Sequence, residues 1–146
     1  MTVRTATAAD FDAVTALLVE LGRPPVTDAT DAAARRVFDE QVADELAGHL
    51  VAVNDAGRVV GFCSLHFRTR LNHPTLEAWV PDLIVAEDVR GTGVGGQLLV
   101  EAERRARARG CHGLTLESAY FRTRAHSFYL AAEMTDSGKS FWKSLA

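Results

Sequence analysis

Six consecutive residues in the middle of this 146-residue chain, Gly91-Thr92-Gly93-Val94-Gly95-Gly96, include four glycines. Arg90 stands immediately before them, and five residues separate Gly91 from the end of the apolar run Leu83-Ile84-Val85. Without a Cβ, a glycine leaves its own N–H open to a ligand, and an apolar pattern of helical spacing begins at Val94. Several bare N–H donors therefore gather at the positive end of a helix dipole. Such an arrangement seats a phosphorylated ligand without needing a lysine.

Three ligand chemistries use a turn of this kind. A P-loop requires Gly-Lys-Ser/Thr, whereas Gly96-Gln97-Leu98 has neither lysine nor hydroxyl. Gly91-x-Gly93-x-x-Gly96 matches the dinucleotide fingerprint literally, with Glu117 downstream as a ribose ligand. In that fold, however, the first glycine follows its strand almost directly, and the chain after Leu116 is too short for the remaining parallel strands. An acyl-coenzyme A is the third. A structural turn alone seldom needs so many unblocked positions followed at once by an apolar helix.

Other side chains with chemical potential are scattered. Glu77, Asp82 and Glu117 are carboxylates at strand positions or strand ends. His49, His66, His73, His112 and His126 show no metal-ligand spacing, and no metal is expected. Cys111 beside His112 could mimic a nucleophile pair, but neighbouring strand side chains point to opposite faces. Cys63 and Cys111 lie in apolar runs and read as buried free thiols. Arg104, Arg105, Arg107 and Arg109 follow Glu101 and Glu103 toward a helix C-terminus, which the dipole favours, so they read as a solvated helix end.

The elements that position these groups follow from periodicity. A short strand is expected at residues 2–6, then a helix with Thr7 as N-cap and Asp10 in its first turn, carrying Phe11, Val14, Leu18 and Leu21 on one face. Gly22 ends it and Pro24-Pro25 prevent its continuation. A polar loop over 22–30 leads to a second helix over 31–47, stopped by Gly48. Strands are expected at 49–53 and 58–67, joined by the turn Asn54-Asp55-Ala56-Gly57. A strand through Val85 comes next, with Pro81 weakening its ladder. A helix over 93–109, a strand over 111–117, a helix over 123–132 and a terminal strand over 140–145 complete an α/β chain.

Length and composition indicate a single domain, residues 1–146, with 47% hydrophobic and 24% charged residues, ordinary for a soluble protein. The net charge of −3 weighs against nucleic acid as a main partner. No apolar stretch has membrane-spanning length, and the N-terminus has no basic-then-apolar signal pattern, so a cytoplasmic protein is expected.

Arg90-x-x-Gly93-x-Gly95, after a strand ending Leu83-Ile84-Val85, resembles the Arg/Gln-x-x-Gly-x-Gly/Ala signature of the GNAT superfamily of N-acetyltransferases. The element order agrees along nearly the whole chain. Near the C-terminus, Arg122-x-x-Ala125-His126-x-Phe128-Tyr129 resembles the segment in which many members place a tyrosine. The resemblance implies a central mixed, mostly antiparallel sheet flanked by helices and splayed at an acetyl-CoA site. It implies that the pyrophosphate lies on the amides of Gly91, Thr92, Gly93, Val94, Gly95 and Gly96, with Arg90 adding charge. The pantetheine arm would pair with backbone of Leu83, Ile84 and Val85, the Val85 N–H stabilising the oxyanion.

The resemblance further implies direct transfer of acetyl to a primary amine in a ternary complex, with Tyr129 returning a proton to the thiolate. Glu117 is the first choice for the base, Asp82 the second, and Glu77 a rival; each could instead bind the amine's charge while water carries the proton. His126, three residues from Tyr129, reads as a helix-packing or coenzyme-contacting group. The family's acceptor pocket would be built here by the loop over 22–30, the second helix and the C-terminal strands. Two departures stand out. Members carry Tyr-x-x-x-Gly-Phe, where this chain has Glu133-Met134, so the helix is expected to end in another conformation, with Gly138 taking part of the turn. The asparagine that many members place after the penultimate strand has only Ser118 and Arg122 nearby as substitutes. A homodimer is left open. A non-catalytic acyl-CoA-binding sensor or interaction domain is the alternative function.

Overall fold

The structure is a computed structural model that describes every residue from Met1 to Ala146. The chain clusters into two compact units, Met1–Leu116 and Glu117–Ala146.

The first unit starts with β1 (Thr2–Thr5) and a single helical turn at Ala8–Asp10 that runs straight into α1 (Phe11–Glu20). The Thr7 N–H donates to the Asp10 carboxylate at 2.7 Å, and Arg4 grips the same carboxylate from the other side at 2.8 and 2.9 Å. This pairing holds Asp10 below its ordinary carboxylate range. Then come α2 (Asp31–Ala43), β2 (Leu50–Val53), β3 (Val59–Cys63), β4 (His66–Arg68), β5 (Glu77–Val80), β6 (Leu83–Val85), α3 (Val94–Ala108) and β7 (Leu114–Leu116). Phe11, Val14 and Leu17 bury one stripe of α1; Val94, Leu98, Leu99, Ala102 and Ala106 do the same on α3.

Two sheets form. One has the order β1-β2-β3-β6, antiparallel throughout; the other has the order β4-β5-β7, with β4–β5 antiparallel and β5–β7 parallel. The expected continuous strand through Val85 is thus two strands in different sheets, broken at Pro81-Asp82. The expected strand over 58–67 is likewise β3 and β4, broken at Ser64-Leu65. The breaks face each other. Ser64 N–H donates to the Asp82 carbonyl at 2.9 Å, and Asp82 N–H donates to Ser64 Oγ at 2.8 Å. Leu65 N–H donates to His49 Nδ1 at 3.0 Å. Side chains thereby take over backbone groups that a regular ladder would have paired. Period-2 patterning continues through such a break, which is why apolar alternation alone shows one strand on each side.

Gly61 decides how α3 docks. A Cβ placed there would lie 2.9 Å from Leu98 Cδ1 and 3.1 Å from Val94 Cγ1. A side chain there would have to push Leu98 and Val94 aside, so glycine lets the first two turns of α3 sit this close to β3. The next residue, Phe62, points to the opposite face, toward α1 and α2.

Other boundaries also differ from expectation. Helix α2 ends at Ala43 rather than at 47, because the Asp44 carboxylate accepts the Leu46 N–H at 2.8 Å and offers the backbone a turn instead. The strand expected over 111–117 is confined to Leu114–Leu116, and Cys111 is only partly buried.

The second unit contains α4 (Thr123–Ala131). No strand occupies residues 140–145: Phe141, Trp142 and Leu145 are exposed and no neighbouring strand supplies a ladder. The end of α4 overturns the expectation of a different turn. Glu133 adopts φ 63°, its N–H donates to the Leu130 carbonyl at 3.1 Å, and Met134 N–H donates to the Tyr129 carbonyl at 3.0 Å. This is a Schellman ending with glutamate in the left-handed position usually given to glycine. Gly138 takes no left-handed conformation.

Candidate active site

The glycine turn has the conformation its sequence requires. Gly91 and Gly93 lie at φ 80° and 92°, and Gly93 caps α3 from the left-handed region. Thr92 Oγ donates to the Val89 carbonyl at 2.6 Å, which tightens the approach to the cap. The helical ladder begins with Gln97 N–H on the Gly93 carbonyl at 3.1 Å, so the amides of Val94, Gly95 and Gly96 precede it, as the first donors of a helix do. A Cβ at Gly91, Gly93 or Gly96 would meet nothing within 4 Å. The backbone here faces open space. Gly93 and Gly96 also line a shallow groove of about 380 Å³ with Val3, Gln97, Val100 and Glu101. Glu101 is bridged by Arg104 and Arg105, which draw its carboxyl down to about 2.

Strand β6 leads into this turn along the edge of its sheet. Its pairing with β3 runs Cys63↔Leu83, Phe62↔Ile84 and Gly61↔Val85, and Ala86 N–H donates to the Val60 carbonyl at 2.8 Å. Since the Asp82 carbonyl and the Ala86 N–H both point to β3, Ile84 does too, and Leu83 and Val85 direct their N–H and carbonyl groups to the unpaired edge. Arg90 folds back onto that edge. Its Nε donates to the Val85 carbonyl at 3.0 Å, and its guanidinium lies 3.5 Å from Glu20 Oε2, which also accepts the Glu87 N–H at 3.1 Å. With its carbonyl engaged, Val85 presents its N–H as the group left for a ligand.

At the other end of β6, Asp82 is paired. Arg23, from the loop after α1, sits 2.7 Å from Asp82 Oδ1 and also donates to the Pro81 carbonyl at 3.3 Å. Glu77 is bound by Arg68 at 3.2 Å and Arg70 at 3.5 Å. Asp82 and Pro81 form the floor of a cavity of about 500 Å³ between α1, α2 and the sheets. Phe11, Leu18, Val37, Phe38, Phe62 and Trp79 supply apolar wall, while Gln41, Ser64 and His66 add polar groups. Thr15 also lines it, but its hydroxyl is spent on the Phe11 carbonyl at 3.0 Å.

Gln41 and Ser64 escaped sequence reasoning, which weighed His49 and His66 only as metal ligands. His49 is buried, and its Nε2 lies 2.8 Å from Gln41 Oε1, while its Nδ1 accepts from Leu65. With Nδ1 accepting, Nε2 carries the proton, so the Gln41 amide oxygen is engaged. Burial, reinforced by His66, pushes His49 down to about 4. His66 stacks edge-on to His49 at 4.8 Å, lies 5.5 Å from the Trp79 ring, and is lowered by burial. The only sequence signal was Ser64 and His66 alternating on one strand face. Cys63, buried and beside Asp82, is pushed up to about 12 and stays a thiol.

In the second unit, Glu117 is exposed and Ser118 follows it. The Ser118 hydroxyl oxygen is buried and finds no hydrogen-bond partner in the protein. His126 Nε2 lies 2.9 Å from the Ala119 carbonyl and so ties α4 to the segment before it. Tyr129, also on α4, packs edge-on to Phe128 with centroids 5.4 Å apart.

The chain as a whole has counterparts among known proteins. The sequence profile described as the acetyltransferase (GNAT) family matches residues 12–132. The chain belongs to the GNAT acetyltransferase family. Over 143 residues, covering 98% of this chain and 90% of the relative, it is 34% identical to the aminoalkylphosphonate N-acetyltransferase of Salmonella typhimurium. This GNAT protein is accordingly an acyltransferase, and its α/β architecture is the family's. Among solved structures, it superposes on a protein described as a transcriptional regulator from Bacillus halodurans C-125 with a TM-score of 0.91 at 26% identity, covering 99% of both chains. It also superposes on glucosamine-6-phosphate N-acetyltransferase from Arabidopsis thaliana with a TM-score of 0.83 at 19% identity, covering 99% and 98% of the two chains. No helix is long and apolar enough to cross a membrane, and no group of three potential metal ligands occurs.

Proposed function

We propose that this GNAT protein transfers an acetyl group from acetyl-CoA to a small primary amine by direct attack in a ternary complex. The observation that carries it is the unpaired edge of β6 leading into the amides of residues 91–96. The first would hold the pantetheine arm by strand addition, and the second the pyrophosphate at a helix N-terminus. The orphaned Ser118 hydroxyl supports a further coenzyme contact. The relative named for aminoalkylphosphonates supports an amine as acceptor.

In this reaction the neutral amine nitrogen attacks the thioester carbonyl carbon, and the developing oxyanion accepts from the Val85 N–H. The C–S bond then breaks; Tyr129 gives its phenolic proton to the departing thiolate, and the proton lost from the amine passes to Glu117, directly or through water. Asp82 is better suited to anchoring the amine's charge than to taking its proton, because Arg23 already holds its carboxylate.

Thiol release from acetyl-CoA, screened against a panel of amines, tests the assignment. Stimulation by at least one amine, and its loss in Tyr129→Phe with coenzyme binding intact by calorimetry, is expected. Coenzyme binding without any amine-dependent release would favour a non-catalytic acyl-CoA sensor. Absence of coenzyme binding would overturn both.

A further inference from the structure

The cavity over Asp82 and Pro81 has a chemical bias of its own. No lysine or arginine lines it, and Asp82 is its one carboxylate. The guanidiniums just behind its walls are already spent. Arg23 is on Asp82 and the Pro81 carbonyl. Arg35 lies over the Phe11 ring at 4.3 Å and is held by Asp12 and Asp31, each at 2.8 Å. Arg68 lies over the Trp79 ring at 4.8 Å and is held by Glu77 at 3.2 Å. Between them, α1, α2 and the sheet face the cavity with aromatic and aliphatic wall.

We propose that this cavity selects a primary amine with an uncharged, apolar body, an alkyl- or arylalkylamine, and rejects amines bearing a carboxylate or phosphonate. The inference rests on the acetyl-transfer reading and adds the substrate class to it. The ammonium end belongs at the floor. Asp82 Oδ1 is held by Arg23, whereas Oδ2 has only Ser64 Oγ, at a long 3.4 Å, and so keeps acceptor capacity for a cation. Asp82 directly precedes β6, so an amine anchored there stands at the start of the strand proposed to hold the thioester. His49 and His66, both shifted toward the neutral form by burial, add no positive charge to repel it. The body of the amine then lies against Phe11, Phe38, Phe62 and Trp79. A phosphonate or carboxylate in the same place would lose its hydration without gaining a counter-cation, which is costly in an apolar wall.

The size suits the assignment: about 500 Å³ lies within the range of small-molecule sites. Burying each further methylene contributes about 0.8 kcal/mol, which is roughly a fourfold gain in kcat/KM. The test is amine-dependent thiol release with the full chain and acetyl-CoA. It compares n-propylamine through n-hexylamine and 2-phenylethylamine with 2-aminoethylphosphonate and β-alanine. The expected result is a rise of about fourfold per methylene along the alkyl series until the cavity fills, with the anionic amines at least about a hundredfold lower. Val37→Lys sets a cation in the wall at a position 47% exposed, where folding tolerates it. It should lower hexylamine turnover about tenfold and raise that of 2-aminoethylphosphonate. A flat alkyl series, or wild-type preference for the phosphonate, would overturn the substrate class while leaving acetyl transfer to amines standing. If no amine of either kind releases thiol, the acetyl-transfer reading fails and this inference falls with it.

Discussion

Mild acid should destabilise this protein through one buried ring. His49 is 3% exposed, and both of its nitrogens are committed: Nδ1 accepts the Leu65 N–H at 3.0 Å and Nε2–H is given to Gln41 at 2.8 Å. A second proton would have to go on Nδ1 and break the bond that satisfies the β3–β4 junction. Burial first, and the neighbouring His66 second, lower the ring from 6.5 to about 4. The folded value therefore lies below the unfolded one. Between about 4 and 6.5 the unfolded chain binds a proton that the folded chain refuses, so stability rises with pH through that window and is complete above it. At about 1.36 kcal/mol per pH unit, the loss on going from pH 7 to pH 4 is on the order of 3 kcal/mol, a large part of a domain's stability. Urea denaturation followed by far-UV circular dichroism at pH 4.5, 5.5, 6.5 and 7.5 measures it. His49→Gln removes the titration. That variant should be about 1–3 kcal/mol less stable at pH 7.5, because Leu65 N–H loses its acceptor, yet its stability should change far less toward pH 4.5. His66 is lowered in the same direction and is present in both proteins, so the difference between the two profiles reads His49 together with its coupling to His66. A wild-type profile flat over the window, or a variant as steep as the wild type, would refute the reasoning.

Gly61→Ala drives a methyl against Leu98 and Val94 and should cost about 1–3 kcal/mol, read as a lower urea midpoint; an unchanged or raised midpoint would show that α3 repacks freely. Gly93→Ala meets no neighbour but must hold φ 92°, so it should cost about 1 kcal/mol of turn geometry and weaken coenzyme binding several-fold by calorimetry, with far-UV dichroism unchanged. Glu133→Gly should relieve the left-handed residue ending α4 and stabilise by about 0.5–1 kcal/mol, or about 2–3 °C in Tm; a lower Tm would mean that the glutamate side chain contributes more than its backbone strain removes.

How much of this was written in the sequence differs from element to element for physical reasons. The glycine turn was legible because its backbone takes a conformation that other residues resist, and Gly91 and Gly93 do sit at positive φ. Both helix ends at Gly22 and Gly110 were legible for the same reason, each lying in the left-handed region. Glu133 was misread because the left-handed position there is imposed by two closing hydrogen bonds and not by residue preference. The strand breaks were half legible. Pro81 announces that something must give, but Ser64 and Leu65 carry no such mark, since their replacement partners, Asp82 and His49, come from 18 and 16 residues away. The cavity over Asp82 was the least legible, because Gln41, His66 and Trp79 converge only through tertiary packing and none is unusual in its own segment.

The break at Pro81-Asp82 is what makes both halves of the proposed site. Strand β5 has a neighbour on each side, β4 and β7, and its last pair with β7 is Val80↔Leu116. One residue later Pro81 has no N–H to give, and Asp82 sends its N–H to a serine hydroxyl. From there the chain continues as β6 against β3 alone, with Leu83 and Val85 facing outward. A regular strand through residues 77–85 would have kept a partner on both edges, leaving neither an unpaired Val85 N–H nor a carboxylate turned toward α1 and α2. A substitution that let this strand run on, such as Pro81→Val, would be expected to stabilise sheet pairing and to lose coenzyme affinity together. The two effects have one cause: the edge that would bind the ligand is the edge that the sheet leaves unmade.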